Sequence, residues 1–165
     1  MRGPFVSYSW DQPASAGIAG WEGRCGQTCV ANLLKNRRPG LHVSPSRLIA
    51  TGGGDLGPGS MPSTLLQLIN SRSPRRPYQL RNERRIVVQA HPHNPIGCLL
   101  QWDENVLHWV TVVGTHGPNV IFNHWGRQQT LPRTEFDERW GFRSQGALDW
   151  TISRMGGLSP YTTLS

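Results

Sequence analysis

The sequence predicts an α+β fold in which helices come first and an antiparallel sheet follows. Three observations carry this. Helical apolar spacing with start and stop signals dominates the first half of the chain, β-branched runs separated by turn residues fill 96–123, and the two kinds of segment do not alternate as they would around a parallel sheet. At 165 residues the chain has the length of one domain, enough to close a core without disulfides or a structural metal. We read 1–165 as a single unit with its core at about 20–140.

Residues 1–23, rich in Gly, Ala, Ser and Pro, read as an irregular lead-in. From Gly26 to Asn36 the residues Val30, Ala31, Leu33 and Leu34 suit a buried helix, and Arg37-Arg38-Pro39-Gly40 stops it. Ser44-Pro45 opens a short helix through Ala50, because proline is favoured at a first helical position. The stretch TGGGDLGPGS (51–60) is a loop, followed by helices at Pro62–Asn70 and Asn82–Ala90. The glycines of that loop are no phosphate cradle, since the Lys-Ser/Thr pair of a P-loop is missing. IGCLLQW (96–102), HWVTVVG (108–114) and NVIFN (119–123) then read as a meander of strands.

The opening MRGPFVSYSW holds no continuous apolar core of a signal peptide, and no segment approaches the roughly 20 apolar residues of a membrane span. The expectation is a protein with no membrane partner, cytoplasmic or delivered outside the cell without a conventional signal. Three cysteines cannot all pair with one another and do not make a disulfide framework. Seventeen basic against ten acidic residues give a net charge of +7, and Lys35 is the only lysine. The arginines are densest at 37–38, 72–76 and 81–85, with no nucleic-acid-binding module around them. A solvated face, or an acidic protein partner, fits them better than nucleic acid does.

The stretch Cys25-Gly26-Gln27-Thr28-Cys29 puts two thiols four apart at the start of the first helix. A cysteine at a helix N-terminus feels the aligned peptide dipoles and first-turn N–H groups, which favour its thiolate. Cys25 has that position; Cys29, a turn further in, reads as a small core residue, and Cys98, inside an apolar strand, as inert packing. A zinc site joining the pair to His91 or His93 is the competing reading, but a second ligand pair at metal spacing is missing, so no metal is expected.

A thiolate nucleophile needs an imidazole beside it and a third group to orient that imidazole. His42, His91, His93 and His116 fall in loops and turns, whereas His108 opens a strong strand. If 108–123 is a hairpin turning between His116 and Gly117, then Val110 faces Asn123, and Asn123 becomes a same-face diagonal neighbour of His108. His124 would point to the opposite face. A slip of one residue would exchange the two.

In order and local sequence the chain resembles the papain-like cysteine peptidases of bacteria. It is most similar to the double-glycine-leader, bacteriocin-processing peptidase-like domains and to papain-fold toxin or effector domains. Cys25-Gly26-Gln27-Thr28-Cys29, His108-Trp109-Val110-Thr111-Val112-Val113-Gly114, Asn123-His124-Trp125-Gly126 and Glu135-Phe136 with Trp140 carry the likeness, over roughly 20–140. The resemblance implies Cys25 as nucleophile, His108 as general base and Asn123 as orienter, with no cofactor. Two departures stand out. Ala19 sits where the family has a glutamine of the oxyanion hole, a role Gln12 could fill across an inserted loop, and Asn123-His124 replaces an Asp-Pro pair.

The implied activity is hydrolysis of amide bonds in a protein or peptide substrate, with Trp21, Trp109 and Trp125 as candidate walls of a substrate groove. An acidic inhibitor or immunity protein would be a partner for a toxin of this type. Deamidation of glutamine side chains is the alternative within the same chemistry. A catalytically silent binding module, or a basic nucleic-acid-binding domain, is the alternative outside it.

Overall fold

The computed structural model describes residues 7, 9, 10, 24–41, 43–51, 62–103, 106–141 and 161–165. Among the described residues the α-helices are α1 (Cys25–Arg37), α2 (Pro45–Thr51), α3 (Pro62–Arg72) and α4 (Arg133–Trp140), and a 3₁₀ helix spans Arg84–Gln89. Six strands, β1 (Leu80–Arg81), β2 (Ile96–Asp103), β3 (Val106–His116), β4 (Asn119–His124), β5 (Arg127–Pro132) and β6 (Thr163–Leu164), make one antiparallel sheet in the order β1-β6-β2-β3-β4-β5.

The expected α+β order therefore holds, with helix and strand bounds close to those read from the sequence. The helix expected at Asn82–Ala90 is instead the 3₁₀ turn 84–89, a form short segments adopt readily. Three strands carried no clear apolar pattern. β1 and β6 are two residues each, and β5, RQQTLP, is a polar edge strand.

The sheet is covered on both faces. On one, α1 lies over β3 and β2 through Cys29, Val30, Leu33 and Leu34, which pack with Leu48, Leu65, Ile69, Leu99 and Trp109. On the other, Phe136 and Trp140 of α4 and Ile86 and Val87 of the 3₁₀ helix cover Cys98, Leu100, Val110, Val112 and Phe122. A strand with both faces covered loses the polar alternation of a one-sided sheet, and VTVVG reads accordingly. α1 is buried on nearly all sides, Gln27, Asn32 and Asn36 included. Burying such amides needs hydrogen bonds: Asn36 Nδ2 donates to Asn32 O (2.8 Å), and Asn32 Oδ1 accepts from the backbone N–H of Trp10 (2.7 Å).

Gly97 marks the closest approach of helix and sheet. A Cβ there would lie 3.1 Å from Cys29 Sγ, 3.2 Å from Leu33 Cδ1 and 3.3 Å from Leu164 Cβ. Gly97→Val is expected to lower stability by about 1–3 kcal/mol through overpacking, read as a lower urea midpoint with an unchanged slope.

Candidate active site

Cys25 is the first residue of α1, so the first-turn N–H groups and the positive end of the helix dipole lie at its thiol. It is 7% exposed and lines a small cavity with Thr28, Asn32, His108, Asn123, His124 and Trp125. None of the three cysteines is in a disulfide. Cys29 donates to Val110 O (3.4 Å) and accepts from Thr111 Oγ1 (3.5 Å). Burial pushes its thiol up to about 12, against the Thr111 hydrogen bond, with the neighbouring Cys25 adding to the rise. Burial likewise holds the Cys98 thiol well above its ordinary range. Both remain protonated and inert near neutral pH.

The hairpin of β3 and β4 turns one residue later than the sequence suggested. Gly117 (φ +57°) and Pro118 form a two-residue turn flanked by the pair His116↔Asn119. Val113 then enters as a bulge between Val112↔Phe122 and Gly114↔Ile121, so that Asn123 pairs with Thr111 rather than Val110. Turn and bulge together leave a net shift of one residue, which reverses the expected faces. Asn123 shares its face with Thr111, under α1, whereas His124 joins Val110 and His108. Asn123 donates from Nδ2 to Ser7 Oγ (2.8 Å) and accepts from Gln128 Nε2 (3.3 Å).

His124 Nδ1 lies 3.3 Å from His108 Nε2, and His124 Nε2 lies 2.5 Å from Gln129 Oε1. Aromatic rings enclose the imidazole pair. The Trp125 indole stands 4.6 Å from the His108 ring and stacks on His124 at 4.3 Å, and Trp102 approaches them at 5.5 and 4.8 Å. Trp125 is held there by a two-residue turn with Gly126, both at positive φ (45° and 73°), as a hairpin of type I′ geometry requires. Trp102 is fixed by Arg139, which donates to its carbonyl at 2.8 Å and lies 5.3 Å from its ring.

Of the other residues singled out in the sequence, Gln12, Trp21 and the loop glycines 52–60 lie outside the described residues. Trp109 is 3% exposed, belongs to the core beneath α1 and also lines the cavity that holds Cys25 and His108. Trp125 is half-buried at the cavity rim. Trp102 and Gln129 carried no motif in the sequence; their place at the site comes from strand pairing alone. Among the described residues no group of three His, Cys, Asp or Glu side chains gathers as a metal site would need.

Burial, with a smaller contribution from His124, pushes the His108 imidazole down to about 3. His124 is also lowered, by burial and then Arg127, against the hydrogen bond of Gln129. In the unfolded chain His108 would take up a proton near 6.5, where the folded chain refuses it. Its contribution is therefore intact above about pH 6.5 and is lost as pH falls toward 3. Urea midpoints measured between neutral and moderately acid pH are expected to drop steeply for the native protein and less for His108→Gln.

No protein-family model matches the sequence, and no curated protein matches it. Among solved structures, the chain is similar to the crystal structure of the peptidase domain of Streptococcus ComA, a bifunctional ABC transporter of a quorum-sensing pathway. The TM-score is 0.60 at 12% sequence identity, over 81% of this chain and 92% of that one. The fold is thus a papain-like one, N-terminal helices with Cys25 heading the first, packed on an antiparallel sheet.

Proposed function

We propose that the protein is a cysteine-dependent amide hydrolase that cleaves peptide bonds. The observation that carries this reading is one cavity lined by a thiol at the head of a buried helix and an imidazole kept neutral by burial. The papain-like fold supports it. Cys25 gives its proton to His108 and attacks the substrate carbonyl, and the tetrahedral oxyanion is stabilised by backbone N–H groups at the start of α1. Collapse expels the amine, which takes the proton from His108, and leaves a thioester. Water then loses a proton to His108 and attacks the thioester, and the collapsing intermediate expels Cys25, which takes that proton back from His108.

The substrate in this reading is a protein or peptide, with Trp125 as one wall of its approach. Exposed Arg38, Arg75 and Arg76, drawn to the end of α1 where Arg37 donates to Arg76 O (3.3 Å), fit an acidic protein partner such as an inhibitor. A toxin or effector role would suit that pairing.

Iodoacetamide at neutral pH is expected to label Cys25 at least about tenfold faster than Cys29 or Cys98, as mapped by peptide mass spectrometry; equal labelling of Cys29 would contradict the assignment. Incubation with a mixture of cell-derived peptides should yield new free amino termini, and both Cys25→Ala and His108→Ala should abolish them while the fold is retained. A gain of about one mass unit at glutamine without fragments would instead mark a deamidase, because the two reactions share the thioester and differ only in the leaving group.

A further inference from the structure

His108 has two ring nitrogens, and only one can be the base; which one is decided two residues away. An amide oxygen accepts hydrogen bonds and never donates them. Gln129 Oε1, 2.5 Å from His124 Nε2, therefore requires the proton of His124 to be on Nε2. A neutral His124 then presents a bare Nδ1. That nitrogen faces His108 Nε2 at 3.3 Å, so His108 Nε2 carries its ring proton and donates it. The lone pair of His108 is left on Nδ1.

We propose that Gln129 and His124 form a positioning relay that holds His108 as the Nε2–H tautomer, so that Nδ1 is the nitrogen offered to Cys25. The proposal rests on the Cys25–His108 reading and adds to it the group that orients the base. It puts a neutral histidine, on the face set by the Val113 bulge, in the position where the sequence pointed to Asn123.

The relay balances through the reaction. The thiol proton of Cys25 goes to His108 Nδ1 and makes an imidazolium. Its Nε2–H still donates to His124 Nδ1, and the Nδ1 proton later goes to the leaving amine. His124 and Gln129 end each step protonated as they began. Being uncharged, His124 fixes orientation without adding a negative charge beside the imidazolium. Burial of His108 among Trp102, Trp125 and His124 acts in the same direction, keeping its resting ring neutral and its Nδ1 open. The groups packed on His124 are His108, Trp102, Phe122, Trp125 and Gln129, with Arg127 the nearby charge.

Long-range ¹H–¹⁵N NMR of histidine-labelled protein at neutral pH reads the tautomers directly. Both His108 and His124 are expected to show a pyrrole-like Nε2 and a pyridine-like Nδ1. An Nδ1–H tautomer at His108 in the native protein overturns the proposal, and this measurement needs no variant. In His124→Phe, His108 is expected to become a mixture of tautomers, with the iodoacetamide rate of Cys25 falling about tenfold or more. Gln129→Leu, at a more exposed position, should shift the same resonances in the same direction. An unchanged His108 tautomer in both variants also overturns it. Amide hydrolysis that survives Cys25→Ala, with the tautomers as stated, would refute the nucleophile assignment and leave the relay standing; reversed tautomers with Cys25 essential would do the opposite.

Discussion

One extra residue, Val113, decides which chemical groups meet at the end of the sheet. Because side chains alternate along a strand, a single inserted residue exchanges every partner beyond it. Before the bulge, β3 and β4 are registered by the Gly117-Pro118 turn; after it, Thr111 faces Asn123 and the two histidines fall together. The bulge thereby sends an amide side chain toward α1 and an imidazole toward the opposite layer. Everything described at the site, from the aromatic enclosure to the Gln129 contact, follows from that exchange.

The layers on either side hold this register in place. α1 is pinned by apolar packing and by Asn32, whose oxygen ties the backbone of Trp10 while Trp10 O accepts from Gly126 N at 3.1 Å. The lead-in segment thus reaches the turn that carries Trp125. On the far face, Asp137 is gripped by Arg84 (2.7 Å) and Arg133 (2.8 Å), joining α4 to the 3₁₀ helix. Two residues on, Arg139 reaches Trp102. Rigid elements on both faces are what allow a small cavity to keep its groups in register.

Much of this was legible in the sequence because it depends on local chemistry. Gly26 to Asn36 with its RRPG stop identifies α1 and puts Cys25 at its head, and HWVTVVG and NVIFN identify the central strands. Cys29 and Cys98 reveal themselves as core by spacing alone. What was not legible depends on pairing. Nothing in Val112-Val113-Gly114 says which residue is left unpaired, since β-branched residues suit a bulge and a ladder alike. The sequence therefore offers Asn123 and His124 as alternatives differing by one residue, and only the sheet separates them. Gln129, on a polar edge strand, and Trp102, beside the irregular pairing at Gln101/Asp103, have meaning only through what lies across from them.

The strand β6 sits between β1 and β2, hydrogen-bonded to both. It comes from residues 163–164, whereas its neighbours come from 80–81 and 96–103. During synthesis the ribosome releases β2 through α4 long before β6 emerges, and in that interval Gly97 and Cys98 present an unpaired backbone edge beside an apolar strand. Such an edge is a template for pairing with another chain. The nascent protein consequently passes through a stage in which its sheet is nearly complete but open on one side, and its yield in a cell depends on how long that side stays open.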